Sequence, residues 1–371
     1  MLKIWRKKMG ERGFRVLLLA GLLAGILTGC GTTETVPEAQ TSETEAADEK
    51  NDAQAAYEAV DIRVGSLKGP TSMGLVALME KAENGEAANR YTFTMETGAD
   101  ALVAMMAKGD LDIALLPANV AAALYQKTQG GIYVLDINTL GVLYMVSGSD
   151  PISSFSDLKG KTIYLTGKGT TPDYCVQYLL GENGLTTEDV RLEYKSEASE
   201  VAALLAKEPE SIGVLPQPFV TAACAQNEAL KIVMDLNAEW DRTQEGQDNP
   251  SRMVTGVTVV RKEFLVSDDA VQSQKNEKAV LKFLQEQKAS VEFANANIDE
   301  TAELVAKNGI IEKAPVAKKA LPNCNLVCID GEEMQAALSG YLKVLYELDP
   351  KAVGGKLPED DFYRMSGAGL Q

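Results

Sequence analysis

From residue 57 onward, apolar positions alternate between strand-like and helix-like spacing. Short apolar stretches predict strands at Val60–Gly65, Tyr91–Met95 and Ile113–Leu116. Between them, apolar residues recur every three to four positions, which predicts helices over Leu75–Ala82 and Asp100–Lys108. This β-α-β-α-β order predicts a parallel sheet covered by helices.

The same pattern returns 99 residues later, where Ala99–Pro117 aligns with Ala198–Pro216 as helix, tight turn, buried strand and proline. We interpret the two copies as two α/β lobes of similar build, each with a mostly parallel central sheet. The strand-like run Thr139–Val146 is the predicted crossing to the second lobe. The chain returns at Val254–Val260, and a late helix with an apolar stripe from Met334 to Leu345 completes the first lobe. Two crossings predict a hinge.

The amino-terminal segment has the pattern of a secretory signal. Six Lys/Arg residues lie within the first 15 positions, and the apolar run Val16–Leu27 follows. This run is too short to span a bilayer, which needs about 20 residues. The next residues, Leu27-Thr28-Gly29-Cys30, resemble the lipobox of bacterial lipoproteins, in which the cysteine is lipidated. The resemblance implies acyl chains such as palmitate on Cys30, and a membrane anchor on the extracytoplasmic face. The alternative is an ordinary signal with an incidental cysteine.

These observations divide the chain into five predicted parts. They are a lipoprotein signal peptide (1–29), an acidic flexible tether (30–58), the first part of lobe one (59–140), lobe two (141–260) and the return to lobe one with carboxyl-terminal helices (261–371). The tether is predicted because its composition, rich in Thr, Ala and Glu, cannot bury enough apolar surface to fold.

Charge and composition exclude several functions. The net charge is −17, and removal of residues 1–29 takes away six bases and one acid, which leaves −22. Such acidity argues against nucleic acid as a partner. The chain has no histidine, which removes the Ser-His-Asp and Cys-His catalytic arrangements and most catalytic zinc sites. No cofactor, no metal and no enzymatic activity are expected.

The cysteines leave one question open. If Asn325–Ile329 is a strand, Cys324 and Cys328 lie about 13 Å apart, too far for a disulfide. A Cys175–Cys224 bridge and buried free thiols both remain open from the sequence.

Four segments are predicted to follow strands at their carboxyl ends, where ligands bind in open α/β sheets. Helix N-termini at these positions offer unpaired N–H groups and a partial positive charge. The four segments are Lys68-Gly69-Pro70-Thr71-Ser72, Pro117-Ala118-Asn119, Gly167-Lys168-Gly169-Thr170-Thr171 and Gln217-Pro218-Phe219, two from each lobe. For each segment the alternative is an ordinary turn with a helix cap.

A few further residues complete the predicted site. A flat ligand could stack on Tyr174, Phe219 or Trp240, with core packing as the alternative for each side chain. Thr139 and Thr255 lie near the predicted crossings and are expected to point into the cleft.

Three local motifs carry a resemblance to a known class. They are Gly109-Asp110-Leu111-Asp112-Ile113-Ala114, Asp157-Leu158-Lys159-Gly160-Lys161-Thr162-Ile163 and Val259-Val260-Arg261-Lys262-Glu263-Phe264. With the two-lobed order, they resemble the substrate-binding lipoproteins of bacterial ABC importers, of the nitrate/sulfonate/taurine type. The resemblance implies the type II periplasmic-binding-protein fold, a monomer, and a mechanism in which two lobes close over a small molecule and deliver it to a permease. One departure concerns the ligand, because Pro216-Gln217-Pro218 stands where relatives often have Trp-Glu-Pro.

The ligand expected first is a small organic or inorganic anion such as a sulfonate or nitrate. A neutral or aromatic vitamin precursor, such as a thiamine pyrimidine, is the second expectation. Two other classes stay open: a surface adhesin or sensor ectodomain, and an enzyme like those of vitamin biosynthesis.

Overall fold

The strands of the described residues fall into two sheets. The computed structural model describes residues 57–148, 152–247 and 250–364. The strands are β1 (Asp61–Leu67), β2 (Arg90–Glu96), β3 (Ile113–Pro117), β4 (Ile132–Leu140), β5 (Leu143–Ser147), β6 (Thr162–Thr166), β7 (Arg191–Lys195), β8 (Ile212–Pro216), β9 (Lys231–Asp235), β10 (Val254–Arg261) and β11 (Leu326–Ile329).

The two sheets repeat one arrangement. Their orders are β11-β4-β10-β3-β1-β2 and β7-β6-β8-β5-β9. In the first sheet β1 pairs in parallel with β2 and β3, and in the second β6 pairs in parallel with β7 and β8. Beside each trio lies one antiparallel strand, β10 against β3 and β5 against β8. We call the first sheet with its helices lobe one and the second lobe two. The predicted two-lobed α/β fold is confirmed.

Helices connect the strands in both lobes. They are α1 (Pro70–Met73), α2 (Val76–Glu83), α3 (Ala99–Lys108), α4 (Ala118–Lys127), α5 (Thr171–Glu182), α6 (Ala198–Lys207), α7 (Phe219–Gln226), α8 (Leu236–Thr243), α9 (Lys262–Leu265), α10 (Ala270–Ala296), α11 (Ile298–Lys307), α12 (Ala314–Ala320) and α13 (Gly331–Leu348). None of the helices in the described ranges is both long and apolar enough to cross a membrane.

The internal repeat is present in the structure with the predicted register. Helices α3 and α6 begin and end 99 residues apart, and so do strands β3 and β8. Each helix buries two apolar side chains at i and i+4, Leu102 with Met106 and Val201 with Leu205. The match therefore extends from the sequence to the faces that the helices pack against their sheets.

The first crossing lies at Gly141 and Val142, between β4 of lobe one and β5 of lobe two. The single strand predicted over Thr139–Val146 is wrong, because this run contributes to both sheets. Two asparagines bind the backbone at the break: Asn237 Oδ1 accepts the Gly141 N–H at 3.1 Å, and Asn325 Nδ2 donates to the Gly141 carbonyl.

The second crossing precedes β10. Strand β9 is in lobe two, α8 follows it, and β10 already pairs with β3 and β4 of lobe one. The boundary predicted after residue 260 therefore lies too late. The strand Val254–Arg261 belongs to lobe one because its apolar side chains complete that sheet.

The predicted signal peptide (1–29), Cys30 and most of the predicted tether (30–58) lie outside the described residues. The last two tether residues are described, and both contact lobe one. The Tyr57 hydroxyl donates to Asn89 Oδ1, and Glu58 pairs with Lys275 Nζ at 2.8 Å.

The core of the described chain includes the predicted stripe of α13. Met334, Ala337, Leu338, Tyr341, Leu342 and Leu345 are all buried. Trp240 of α8 is fully buried against Tyr178 and Tyr341, with ring centroids 4.2 and 5.4 Å away. The described cysteines, Cys175, Cys224, Cys324 and Cys328, are free thiols.

Candidate functional site

One edge of lobe one collects two predicted segments and the predicted site residue Thr139. Strands β1, β3 and β4 run in the same direction, so Lys68–Ser72, Pro117–Asn119 and Thr139 lie at or beyond their carboxyl ends. Strand β10 runs the opposite way, so Thr255 near its start reaches the same edge. Gly256 beside it pairs with both Pro117 and Thr139.

This edge is closely packed around Gly256. A Cβ atom at Gly256 would lie 2.4 Å from Asn138 Oδ1, 2.8 Å from Thr71 Cγ2 and 3.3 Å from Thr139 Cβ. Thr71 and Thr139, which are 68 positions apart in the sequence, therefore meet at one point. Only glycine at this position of β10 allows β4 and α1 to approach this closely.

The hydroxyl groups at this edge donate to the protein itself. Thr71 Oγ1 and Ser72 Oγ donate to the Leu67 carbonyl at 3.1 and 2.5 Å. Thr139 is fully buried, and its hydroxyl donates to Asn138 Oδ1 at 2.9 Å. The expectation that Thr139 points into an open cleft is wrong, because β10 and α1 cover it. The sequence predicted that hydroxyl groups lie at this edge. It did not indicate which acceptors those hydroxyls bind.

The corresponding edge of lobe two has its own carboxylate. Gly167 and Gly169 adopt positive φ values of 64° and 73°, which shape the loop before α5. The Gly169 N–H donates to Asp173 Oδ2 at 2.8 Å, and Gln177 Nε2 and the Tyr194 hydroxyl donate to Asp173 Oδ1 at 2.7 and 2.8 Å. The buried Asp173 thus supplies negative charge at the N-terminus of α5.

Asp173 was missed by sequence reasoning. The signal was present in Thr171-Pro172-Asp173, since an acid in the first turn of a helix is a common N-terminal feature. The hydroxyl of Thr170 is also engaged, because it donates to the Gly167 carbonyl at 2.5 Å. Lys168 and Thr170 are exposed on this loop.

Gln217 follows β8 and lies against the first crossing. Its backbone N–H donates to the Val142 carbonyl at 3.0 Å, and its Oε1 accepts from Thr221 Oγ1 at 2.8 Å. The side chain is only 2% exposed, and its Nε2 has no hydrogen-bond partner among the described residues. A cis peptide joins it to Pro218, and the next residue, Phe219, is 40% exposed. Gln217 is therefore a buried donor with unused capacity at the base of α7.

Two polar contacts join the lobes beside these edges. Thr171 Oγ1 and Asn119 Oδ1 lie 3.4 Å apart, which links α5 to α4. The Tyr174 hydroxyl donates to Asp349 Oδ2 at 3.1 Å, which links α5 to the segment after α13. Tyr174 is 4% exposed, and burial raises the pKa of its hydroxyl to about 12. In this conformation the ring is buried, which corresponds to the core-packing alternative for Tyr174.

The space beside these contacts is a cavity of about 360 Å³. Lobe one contributes Asn119, Lys127 and Lys351 to its lining, and lobe two contributes Gly169 and Tyr174. The second and third predicted segments therefore share one cavity, whereas the first lies at the Thr71–Gly256 edge and the fourth at the first crossing.

Positive charge in the four segments is limited to Lys68 and Lys168, both exposed. Lys168 Nζ lies 5.6 Å from the centroid of the Tyr194 ring. Across the described ranges, no three Cys, Asp or Glu side chains gather in a metal-binding group. The chemistry that the segments offer is hydrogen bonding from helix N-termini, one buried amide and two ammonium groups.

The described residues thus form two similar α/β lobes joined by two crossings, with one cavity lined from both lobes. Residues 84–243 match the family model described as the periplasmic substrate-binding protein of a phosphonate ABC transporter. A binding protein of Brucella abortus is 23% identical over 198 residues, which are 53% of this chain and 56% of that protein. The match thus spans about half the length of the curated relatives.

Solved structures are similar over most of the chain. An ABC transporter protein from Parabacteroides distasonis is 26% identical with a TM-score of 0.68, covering 82% of this chain and 99% of that one. The periplasmic aliphatic sulphonate binding protein of Escherichia coli is 16% identical with a TM-score of 0.62, covering 83% and 100%. These similarities confirm the periplasmic-binding-protein fold and the resemblance to substrate-binding proteins of ABC importers.

Proposed function

We propose that this chain is an extracytoplasmic substrate-binding protein that closes two lobes over a small molecule and delivers it to the permease of an ABC importer. The observation that carries the proposal is the meeting of the lobes at Thr171–Asn119 and Tyr174–Asp349, beside strand ends from both sheets. A ligand that contacts both lobes favours the closed form only if it binds that form more tightly than the open one.

The first ligand class that we propose is a small organic or inorganic anion such as a sulfonate or nitrate. The first turns of α4 and α7 have backbone N–H groups without intrahelical partners, and Gln217 Nε2 is a further donor. The matching family model is described by phosphonate transport and one similar structure by sulphonate binding, which supports the same class.

A neutral or aromatic heterocycle is the second candidate, and one observation favours it. The carboxylate of Asp173 already accepts the Gly169 N–H, so this loop of lobe two has one donor fewer for an anionic ligand than its two glycines suggested. The engaged hydroxyls of Thr71, Ser72 and Thr170 point to the same conclusion.

A ligand panel tests the proposal and separates the two classes. The melting temperature and the radius of gyration of the purified protein would be measured with methanesulfonate, methylphosphonate, nitrate and 2-aminopyrimidine. We expect one probe to raise the melting temperature and reduce the radius of gyration, and the class of that probe identifies the ligand class. Absence of both effects for every probe, and for a wider metabolite library, would contradict a solute-binding function.

The membrane anchor is part of the same proposal. We propose that Cys30 becomes the lipidated amino terminus and that the protein acts as a monomer on the extracytoplasmic face. Cells fed an alkyne-tagged palmitate should label the wild-type protein, whereas Cys30→Ser should remain unlabelled and appear in the soluble fraction. Cys328→Ser is the control, and equal labelling of wild type and Cys30→Ser would contradict the anchor.

A further inference from the structure

A buried carboxyl group lies behind the lobe-one edge and takes no part in the site described above. Asp136 on β4 is fully buried, and no Lys or Arg within the described ranges pairs with it. Its Oδ1 accepts from Thr258 Oγ1 at 2.8 Å and from Gln287 Nε2 at 3.3 Å. Its Oδ2 has no hydrogen-bond partner among the described residues. An ionised carboxylate in such a position is strongly disfavoured.

Thr258 is the centre of the cluster, and its capacity is full. The hydroxyl donates to Asp136, and its oxygen accepts from Gln287 Nε2 at 2.9 Å and from Asn138 Nδ2 at 3.1 Å. A hydroxyl has one proton and two lone pairs, so each of these bonds has a fixed direction. A proton on Asp136 Oδ1 would displace the Thr258 donor, and therefore a proton on this carboxyl belongs on Oδ2.

The cluster continues to the edge of lobe one. Asn138 donates through Nδ2 to Thr258, which leaves its Oδ1 to accept from the Thr139 hydroxyl at 2.9 Å. The same Asn138 Oδ1 limits the space at Gly256, where Thr71 also approaches. A chain of four side chains thus connects Asp136 to the point where β4, β10 and α1 meet.

A second buried atom in the cluster also lacks a partner. Gln287 Oε1 is an acceptor, as is Oδ2 of an ionised Asp136. Protonation of Asp136 Oδ2 turns one of these two unpartnered acceptors into a donor. An ionised carboxylate has no such donor.

The titratable groups around Asp136 favour the protonated form. Burial is the main cause that raises the pKa of Asp136. The negative charge of Asp330, which follows β11, raises it further. Cys328 on β11 also lies near Asp136. Two side chains of α10 act on the pKa of Cys328 in opposite directions: Lys288 lowers it and Glu292 raises it. From β10 the contacting side chain is the uncharged Thr258.

We propose that Asp136 is a positioning residue that carries a proton on Oδ2 and so fixes the hydrogen-bond chain through Thr258 and Asn138 to Thr139 at the lobe-one edge. This inference rests on the proposed function where it concerns the ligand. Loss of the proton leaves a buried anion without a donor on Oδ2, and the cluster must rearrange to provide one. The expected result is a loosened lobe-one edge and weaker ligand binding.

The matched variant is Asp136→Asn, which cannot ionise and keeps an acceptor oxygen beside a donor group, with two N–H donors where the neutral carboxyl has one O–H. Infrared spectra of the purified protein should show the C=O band of a protonated carboxylic acid at about pH 6 that is lost by about pH 8.5, and Asp136→Asn should lack it. The protection of the amides of residues 138–140 and 256 against hydrogen exchange, corrected for the base-catalysed intrinsic rate at each pH, should fall over the same interval in wild type only. Asp61→Asn, at an exposed carboxylate, should behave as wild type.

The last measurement is the affinity of the protein for methanesulfonate or 2-aminopyrimidine. Neither compound titrates over this pH interval. We expect wild-type affinity to fall by about tenfold as the pH rises, and affinity of Asp136→Asn to stay constant. Thr258→Val should weaken binding at both pH values, and Thr258→Ser should restore it. A missing infrared band, or wild-type pH dependence of exchange in Asp136→Asn, overturns the inference. Binding of neither these probes nor any compound of the wider metabolite library, with the band and the protection as expected, contradicts the proposed function and supports the role of Asp136 at the edge.

Discussion

At the residue scale, two buried carboxyl groups of lobe one differ in what surrounds them. Asp112 lies between two arginines: Arg63 Nε donates to it at 2.9 Å and Arg261 Nη2 lies 3.5 Å away. Asp136 has only neutral donors and one unpartnered oxygen. Asp112 is therefore compensated by positive charge, and Asp136 by hydrogen bonds and protonation.

Removal of the Asp112 charge should destabilise the protein. Asp112→Asn leaves Arg63 and Arg261 without their shared carboxylate, and we expect the free energy of unfolding to fall by about 3 kcal/mol. Asp61→Asn breaks the exposed pair with Arg90 and should leave the free energy of unfolding nearly unchanged, because solvent screens this pair. Urea denaturation of both variants checks the difference, and equal losses would contradict a special role for Asp112.

Asp136 should make stability depend on pH. Burial raises the pKa of Asp136 from 3.8 to about 7, so the folded state holds a proton that the unfolded state releases above about pH 4. Stability should therefore fall as the pH rises from 4 towards 7, by at most about 4 kcal/mol, and stay reduced above 7. Asp136→Asn should remove this part of the profile and be more stable than wild type at pH 8. Urea denaturation at several pH values measures the free energy of unfolding of both proteins. Parallel pH profiles of wild type and Asp136→Asn would contradict this role of Asp136.

At the element scale, the sequence predicted the repeated units well and the crossings poorly. The helices α3 and α6 and the strands β3 and β8 are each defined by local apolar spacing, which one sequence reveals. The break at Gly141 is invisible in that spacing, because the apolar run continues through it into another sheet. Asn237 and Asn325 define the break from distant positions, and such long-range contacts leave no local pattern.

At the candidate site too, features set by local sequence were predictable and long-range contacts were not. Its segments were predictable because glycine, proline and hydroxyl residues after a strand mark helix starts. The partners of those residues were not predictable. Asp349 meets Tyr174 across 175 positions, and the direction of each hydroxyl depends on a carbonyl or amide that only the folded chain provides.

The first crossing should tolerate no side chain at Gly141. A Cβ atom there would lie 2.6 Å from Asn237 Oδ1 and 2.7 Å from Met253 Sδ, so Gly141→Ala must displace both. We expect a loss of about 1–3 kcal/mol in the free energy of unfolding. Gly181→Ala in α5 is the control, because nothing lies within 4 Å of its Cβ position and alanine should stabilise the helix by about 0.5–1 kcal/mol. The melting temperature should fall for Gly141→Ala and rise for Gly181→Ala. An unchanged melting temperature for Gly141→Ala would contradict close packing at the crossing.

At the scale of the whole molecule, the lobes contact each other on two sides of the crossings. Helix α5 of lobe two reaches α4 and Asp349 on one side, and α7 packs against α12 on the other. Helix α12 joins Met73 and Val76 in one apolar cluster, so this contact extends into the core of lobe one. In the conformation described, direct protein contacts therefore join the two lobes.

Loss of the Tyr174 hydroxyl should shift the molecule towards a more open form. Tyr174→Phe keeps the packed ring and removes only the hydrogen bond to Asp349, which is worth about 1 kcal/mol. Because the bond forms only when the lobes are together, its loss should lower the closed-to-open ratio about fivefold and weaken ligand binding by up to that factor. Small-angle scattering of the ligand-free protein should show a larger radius of gyration. Tyr178→Phe, whose hydroxyl contacts Thr243 within lobe two, should leave both quantities unchanged. Equal scattering from wild type and Tyr174→Phe would mean that the remaining contacts between the lobes, among them α7 with α12 and Trp240 with Tyr341, are sufficient to hold the lobes.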